Sequence, residues 1–133
     1  MMTIIPIMYH TCLLIDNNYI DNFINSRLLK RSNFAENIIA SQDPREVIKS
    51  LRDGIIKPDI IFLDVDMPLM DGFEFLKEYD KIDMDKQFVK IVLLTSSIDP
   101  ADIKRAEKNK YITKLVTKPL TDKVIEKLIY DQR

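Results

Sequence analysis

Short apolar runs alternate along the chain with longer stretches in which apolar residues recur every three or four positions. The first run, "TCLLID" (11–16), ends in acid; behind it Ile20, Phe23, Ile24 and Leu28 fall at helical spacing, with Asn17 or Asn18 available as a cap. "NIIAS" (37–41) is a second run. Asp43 and Pro44 then read as a cap and a first-turn proline, Val47, Ile48 and Leu51 form a helical stripe, and Gly54 closes it. The third run, "DIIFLD" (59–64), follows Pro58, and Asp71 with Glu74 resembles a capping box opening a helix through Phe73, Leu76 and Tyr79. "KIVLLTSS" (90–97) precedes a polar helix over 100–109. "ITKLVTKP" (112–119) reads as a fifth strand, and Val124, Ile125, Leu128 and Ile129 mark the apolar face of a last helix.

Five strand–helix units in succession predict an α/β fold, a doubly wound parallel sheet with helices on both faces. The near-continuous apolar character of the third and fourth runs suits central strands buried on both sides, and the mixed "ITKLVTK" suits an edge. In open sheets of this kind ligands sit beyond the carboxyl ends of the strands.

Composition narrows the function classes. The 133 residues, 46% hydrophobic and 31% charged, make one soluble globular domain with no linker or repeat. Lys and Arg (20) nearly cancel Asp and Glu (21), so a nucleic-acid partner is not expected. No apolar run approaches a membrane span, and "MMTIIPIMYHTCLLID" lacks the basic start and cleavage site of a signal peptide. The single cysteine, Cys12, excludes an internal disulfide and fits a cytoplasmic location, and with one histidine a zinc site is not expected.

The chemistry gathers at the strand ends. The first strand ends in Asp16-Asn17-Asn18, the third in Asp64-Val65-Asp66, the fourth in Thr95-Ser96-Ser97 and the fifth in Lys118-Pro119. A parallel sheet brings these to one edge, where carboxylates, an amide, hydroxyls and an ammonium meet without imidazole or thiol. Oxygen ligands of this kind suit Mg2+, and a lysine with a hydroxyl suits developing phosphoryl charge.

These residues carry a family resemblance. "LLID", "PDIIFLDVDMPLMDGFEFL", "IVLLTSS" and "TKPL" together resemble a response-regulator receiver domain of two-component signalling, over about residues 10–131. The resemblance implies a flavodoxin-like sheet of strand order 2-1-3-4-5. It implies Asp64 as the phosphoacceptor, attacking a phosphohistidine of a histidine kinase or phosphotransfer protein. Asp16, Asn17, Asp64 and the backbone carbonyl of Asp66 would line the Mg2+ pocket. Thr95 would hydrogen-bond the phosphoryl oxygens, Lys118 would pair with them and with the Asp64 carboxylate before they arrive, and a cis Lys118–Pro119 bond would aim the lysine. Thr95 and Leu115 would form the switch, and the face built by the fourth helix, fifth strand and fifth helix would meet a downstream protein partner. The chain stops after the fifth helix, so a single receiver domain without an output domain is expected. It would be a signalling module, not a turnover enzyme, switched when phosphorylation adds about −1.5 to −2 of charge.

Two departures from the family pattern matter. Asn17 stands where the family normally has a second acid, which removes a formal negative charge and predicts weaker Mg2+ binding. Leu115 stands where an aromatic is usual, three residues before the lysine, which blunts the coupling to Thr95. Two rival functions stay open: a phosphate-independent protein-binding adaptor, supported by Asn17, and a small aspartyl-phosphate hydrolase, supported by the Asp64/Asp66 pair. Blander roles also stand beside the site: Asp16 as a helix cap, His10 as a surface residue, Cys12, Met67 and Met70 as packing, and "IKRAEKNKY" (103–111) as the solvated face of a loosely held helix.

Overall fold

In the computed structural model, which describes residues 7–97 and 99–131, strands and helices alternate throughout. The elements are β1 (Tyr9–Ile15), α1 (Tyr19–Arg31), β2 (Ala35–Ser41), α2 (Pro44–Arg52), β3 (Ile60–Asp64), α3 (Gly72–Asp80), β4 (Lys90–Thr95), α4 (Pro100–Lys108), β5 (Ile112–Thr117) and α5 (Asp122–Tyr130). All strand pairings are parallel, and the order is β2-β1-β3-β4-β5. The family-type fold expected from the sequence is therefore the observed one. The reading of residues 1–6 as free of a signal peptide lies outside the described residues. Among the described residues, no helix is long and apolar enough to cross a membrane.

Strand alternation divides the core in two. Leu13, Ile15, Ile61, Leu63, Ile91 and Leu93 face α2 and α3, where Val47, Leu51, Phe75, Leu76 and Tyr79 complete the packing. Cys12, Leu14, Ile60, Phe62, Val92 and Leu94 face the other way, against Leu29, Phe34, Ile125 and Leu128. β3 is buried along its whole length, whereas β5 buries only Val116 and is an edge, as its mixed composition predicts.

Local chemistry sets the helix starts. Asn18, Asp43, Asp71, Asp99 and Thr121 each turn a side-chain oxygen onto a backbone N–H of the first turn that would otherwise lack a partner. At α3 the bond is reciprocal, since Glu74 returns to the Asp71 N–H and completes the capping box.

The apolar stripe of α1 corrects the sequence reading. Ile20, Phe23 and Ile24 are 64%, 51% and 54% exposed, and the buried face is Asn22, Asn25 and Leu29. Periodicity identifies a stripe but not the side that meets the sheet. Here a polar residue is needed inside: the Asn22 amide donates to the carbonyls of Asp16 (2.8 Å) and Ser41 (3.2 Å). It thereby fastens the helix to the carboxyl ends of β1 and β2.

Candidate functional site

The carboxyl edge of the sheet collects most of the charged residues singled out from the sequence. Asp16 follows β1, Asp64 is the last residue of β3, Thr95 is the last of β4, and Lys118 follows β5. Asp16, Asp64 and Thr95 are 3%, 2% and 1% exposed, and burial of this degree demands partners for the charges.

Lys118 is that partner. Its Nζ lies 2.8 Å from Asp16 Oδ2 and 3.2 Å from Asp64 Oδ1, so one ammonium bridges both buried carboxylates. The Lys118 N–H donates to the Thr95 carbonyl at 2.7 Å, which ties its backbone to the end of β4. The Lys118–Pro119 bond is cis, as the resemblance implies. Asp16 Oδ1 accepts from the Asn18 N–H at 2.9 Å, and Asp64 Oδ1 accepts from the Asp66 N–H at 3.2 Å. Asp64 Oδ2 has no hydrogen bond among the described residues.

The electrostatics follow from burial and from the shortage of cations. Burial, reinforced by the charge of Asp16, pushes the Asp64 carboxyl up to about 6, against the pull of Lys118 and the Asp66 N–H. Burial also pulls on Lys118, but its hydrogen bond to Asp16 and the charge of Asp64 outweigh that and hold the ammonium above its ordinary range.

The remaining predicted residues stand further back. Asn17 is exposed; its backbone carbonyl accepts from Gln42 Nε2 at 3.1 Å, and its side chain makes no hydrogen bond among the described residues. The Thr95 hydroxyl is turned to the Ser97 carbonyl, 2.7 Å away, and not to Asp64. Asp66 is exposed, and its carboxylate accepts from Ser96 Oγ at 3.1 Å. Leu115 is half-buried and packs with the core that faces α2 and α3. His10 is exposed, Cys12 is buried, and Met67 and Met70 pack in or against the core.

Sequence reasoning passed over two contributors: Asn22 holds the Asp16 carbonyl, and Asp21 Oδ2 lies 3.5 Å from Lys118 Nζ. Ser96, placed at the strand-four end by the sequence but given no separate role, engages Asp66. Asp21 carries a signal in its position, an acid in the first turn of the helix that follows the strand-one acid. That position equally suits the positive end of a helix dipole.

Three carboxylates, Asp16, Asp21 and Asp64, thus surround one ammonium. This excess of negative oxygen fits a hard divalent cation that keeps several waters. No cluster of three or more His, Cys, Asp or Glu side chains forms a ready-made metal cage among the described residues.

The family model described as the response regulator receiver domain matches residues 12–130. The structure is similar to that of a two-component response regulator from Cytophaga hutchinsonii, with a TM-score of 0.83 and 28% identity over 92% of this chain and 96% of that one. Among curated proteins, a protein-glutamate methylesterase/protein-glutamine glutaminase of Hahella chejuensis is 39% identical over 66 residues, 50% of this chain and 17% of the relative. The sensor histidine kinase CheAY of Helicobacter pylori is 26% identical over 117 residues, 88% of this chain and 14% of the relative. The chain spans less than a fifth of the length of either curated relative.

Proposed function

The chain belongs to the response regulator receiver domain family, and on that premise we propose that Asp64 accepts a phosphoryl group from a phosphohistidine of a histidine kinase or phosphotransfer protein. The observation that carries this reading is the Lys118 bridge, which leaves Asp64 with one oxygen unengaged at the sheet edge.

Asp64 Oδ2 attacks phosphorus in line with the bond to the donor imidazole. A P–O bond forms, the P–N bond breaks, and the imidazole leaves with its electron pair and takes up a proton. Asp16, Asp64, the Asp66 carbonyl and Asn17 would hold Mg2+, which when bound offsets the charge on the transferring oxygens. Lys118 stays beside Asp64 and pairs with the phosphoryl group once it has arrived.

Thr95 supplies the switch. Its hydroxyl donates to the Ser97 carbonyl in the present state, and a phosphoryl oxygen on Asp64 offers a stronger, charged acceptor. Exchanging one acceptor for the other draws the loop after β4 inward, with Leu115 repacking behind it, and biases a two-state equilibrium. The face of α4, β5 and α5 then presents a changed surface to a protein partner. The domain promotes phosphoryl transfer onto itself and the later loss of that group, and turns over no separate substrate.

Intact mass after incubation with acetyl phosphate, with and without Mg2+, tests the reading. The expected result is a Mg2+-dependent gain of one phosphoryl group that is absent in Asp64→Ala. Absence of any gain, under conditions that label another receiver, would leave the protein-binding adaptor as the better account.

A further inference from the structure

Lys118 has one more carboxylate neighbour than its bridging role requires. Asp16 and Asp64 hold it from the buried side at 2.8 and 3.2 Å, and Asp21 faces it from the rim at 3.5 Å. The side chains of Asp16 and Asp64 are 4% and 3% exposed, that of Asp21 is 42%, and that of Lys118 itself is 20%. Asp21 is held in place by its helix: Asn18 Oδ1 accepts from its backbone N–H at 3.0 Å, fixing the first turn of α1 against the end of β1.

This arrangement has a consequence once Asp16 is asked to serve a divalent cation, as the proposed function requires. Asp16 Oδ1 already accepts from the Asn18 N–H, and Oδ2 accepts from Lys118. Giving Asp16 Oδ2 to a cation weakens the shortest bond that the Lys118 ammonium makes. With Asp64 drawn on by the same cation, the ammonium would repel the incoming charge unless a further anion met it. Asn17, which is exposed and uncharged, cannot do so.

Building on the receiver reading, we propose that Asp21 is a positioning residue that retains Lys118 when Asp16 turns to a divalent cation, supplying from α1 the third pocket charge that Asn17 lacks. Asp21 touches neither the phosphoryl group nor the cation in this role; it acts through the ammonium. Because it lies at the rim, its influence is moderate and screened by salt.

The test measures Mg2+ affinity by calorimetry and acetyl-phosphate labelling by intact mass, on wild type, Asp21→Asn, Asp21→Glu and the double variant Asn17→Asp with Asp21→Asn. At low ionic strength Asp21→Asn should bind Mg2+ about threefold more weakly, the size expected of a partly exposed charge pair. Asp21→Glu should keep most of the affinity, and the double variant should recover it by returning the charge at residue 17. Near 1 M salt, where screening reaches about 3 Å, the gap in Mg2+ affinity between wild type and Asp21→Asn should close. A purely structural role in the first turn of α1 would lower the thermal midpoint and leave the Mg2+ affinity of the folded protein unchanged. Equal Mg2+ affinity in wild type and Asp21→Asn, with both labelled, overturns this proposal alone. Failure of the wild type to bind Mg2+ or take phosphate overturns the receiver reading together with it.

Discussion

Asp64 is held in a state that costs the fold stability at neutral pH. Burial and the charge of Asp16 raise its carboxyl from the ordinary 3.8 to about 6, so between these values the folded protein binds a proton that the unfolded chain does not. Its contribution to stability is therefore complete below the lower value and is lost as pH rises through the upper one. In metal-free protein Asp64→Asn, which cannot ionise, should be about 1–2 kcal/mol more stable than wild type at pH 7.5. The gap should vanish towards pH 4, as followed by urea denaturation in a chelating buffer across the range; a gap that widens on acidification would contradict the assignment. Gly72 is constrained by contact. A Cβ there would meet the Asp64 carbonyl oxygen at 2.8 Å, Val65 Cα at 3.1 Å and Leu93 Cδ1 at 3.2 Å. Alanine is the better helix former by up to about 1 kcal/mol, but the nearest of these neighbours is backbone that cannot yield cheaply. Gly72→Ala should thus lose about 1–3 kcal/mol in chemical denaturation and slow labelling of Asp64.

The helices differ in how far their roles could be read from residues. The faces of α2 and α3 were legible because Val47, Ile48, Leu51, Phe73, Leu76 and Tyr79 are apolar where the sheet is apolar. α1 was legible as a helix but not in orientation. Its inner face must satisfy carbonyls at two strand ends, and Asn22 does so at the cost of a buried Oδ1 that finds no partner among the described residues. Tertiary demand of that kind leaves no periodic trace. α4 buries only Ala106, and a cation–aromatic contact supplements it: the Arg105 guanidinium lies 3.9 Å from the centre of the Phe73 ring on α3. Arg105→Ala should cost at most about 1 kcal/mol of global stability, yet speed amide exchange across residues 100–108 well beyond the rest of the chain. Uniform exchange would show that α4 is held by something else. Phe73 follows Gly72 directly, so the same clasp ties α4 to the backbone that touches Asp64.

For the whole molecule, strand count, parallel pairing and the charged edge were readable because each run ended in polar chemistry and a parallel sheet leaves those ends one place to meet. The pairing of Lys118 with Asp64 was legible through the family resemblance, whereas its contacts with Asp16 and Asp21 were not, since side-chain distances across the edge depend on register and on the turn after β5. The Lys118–Asp16 bond shows what that geometry entails. It joins residues 102 positions apart, its acidic end following the first strand of the domain and its basic end the fifth. A ribosome must release nearly the entire domain before the ammonium can reach either buried carboxylate. Until then Asp16 and Asp64 are two uncompensated acids at the mouth of an unfinished sheet. The pocket is thus among the last features completed during synthesis, and a nascent or truncated chain lacks the ammonium through which a phosphoryl group would be held.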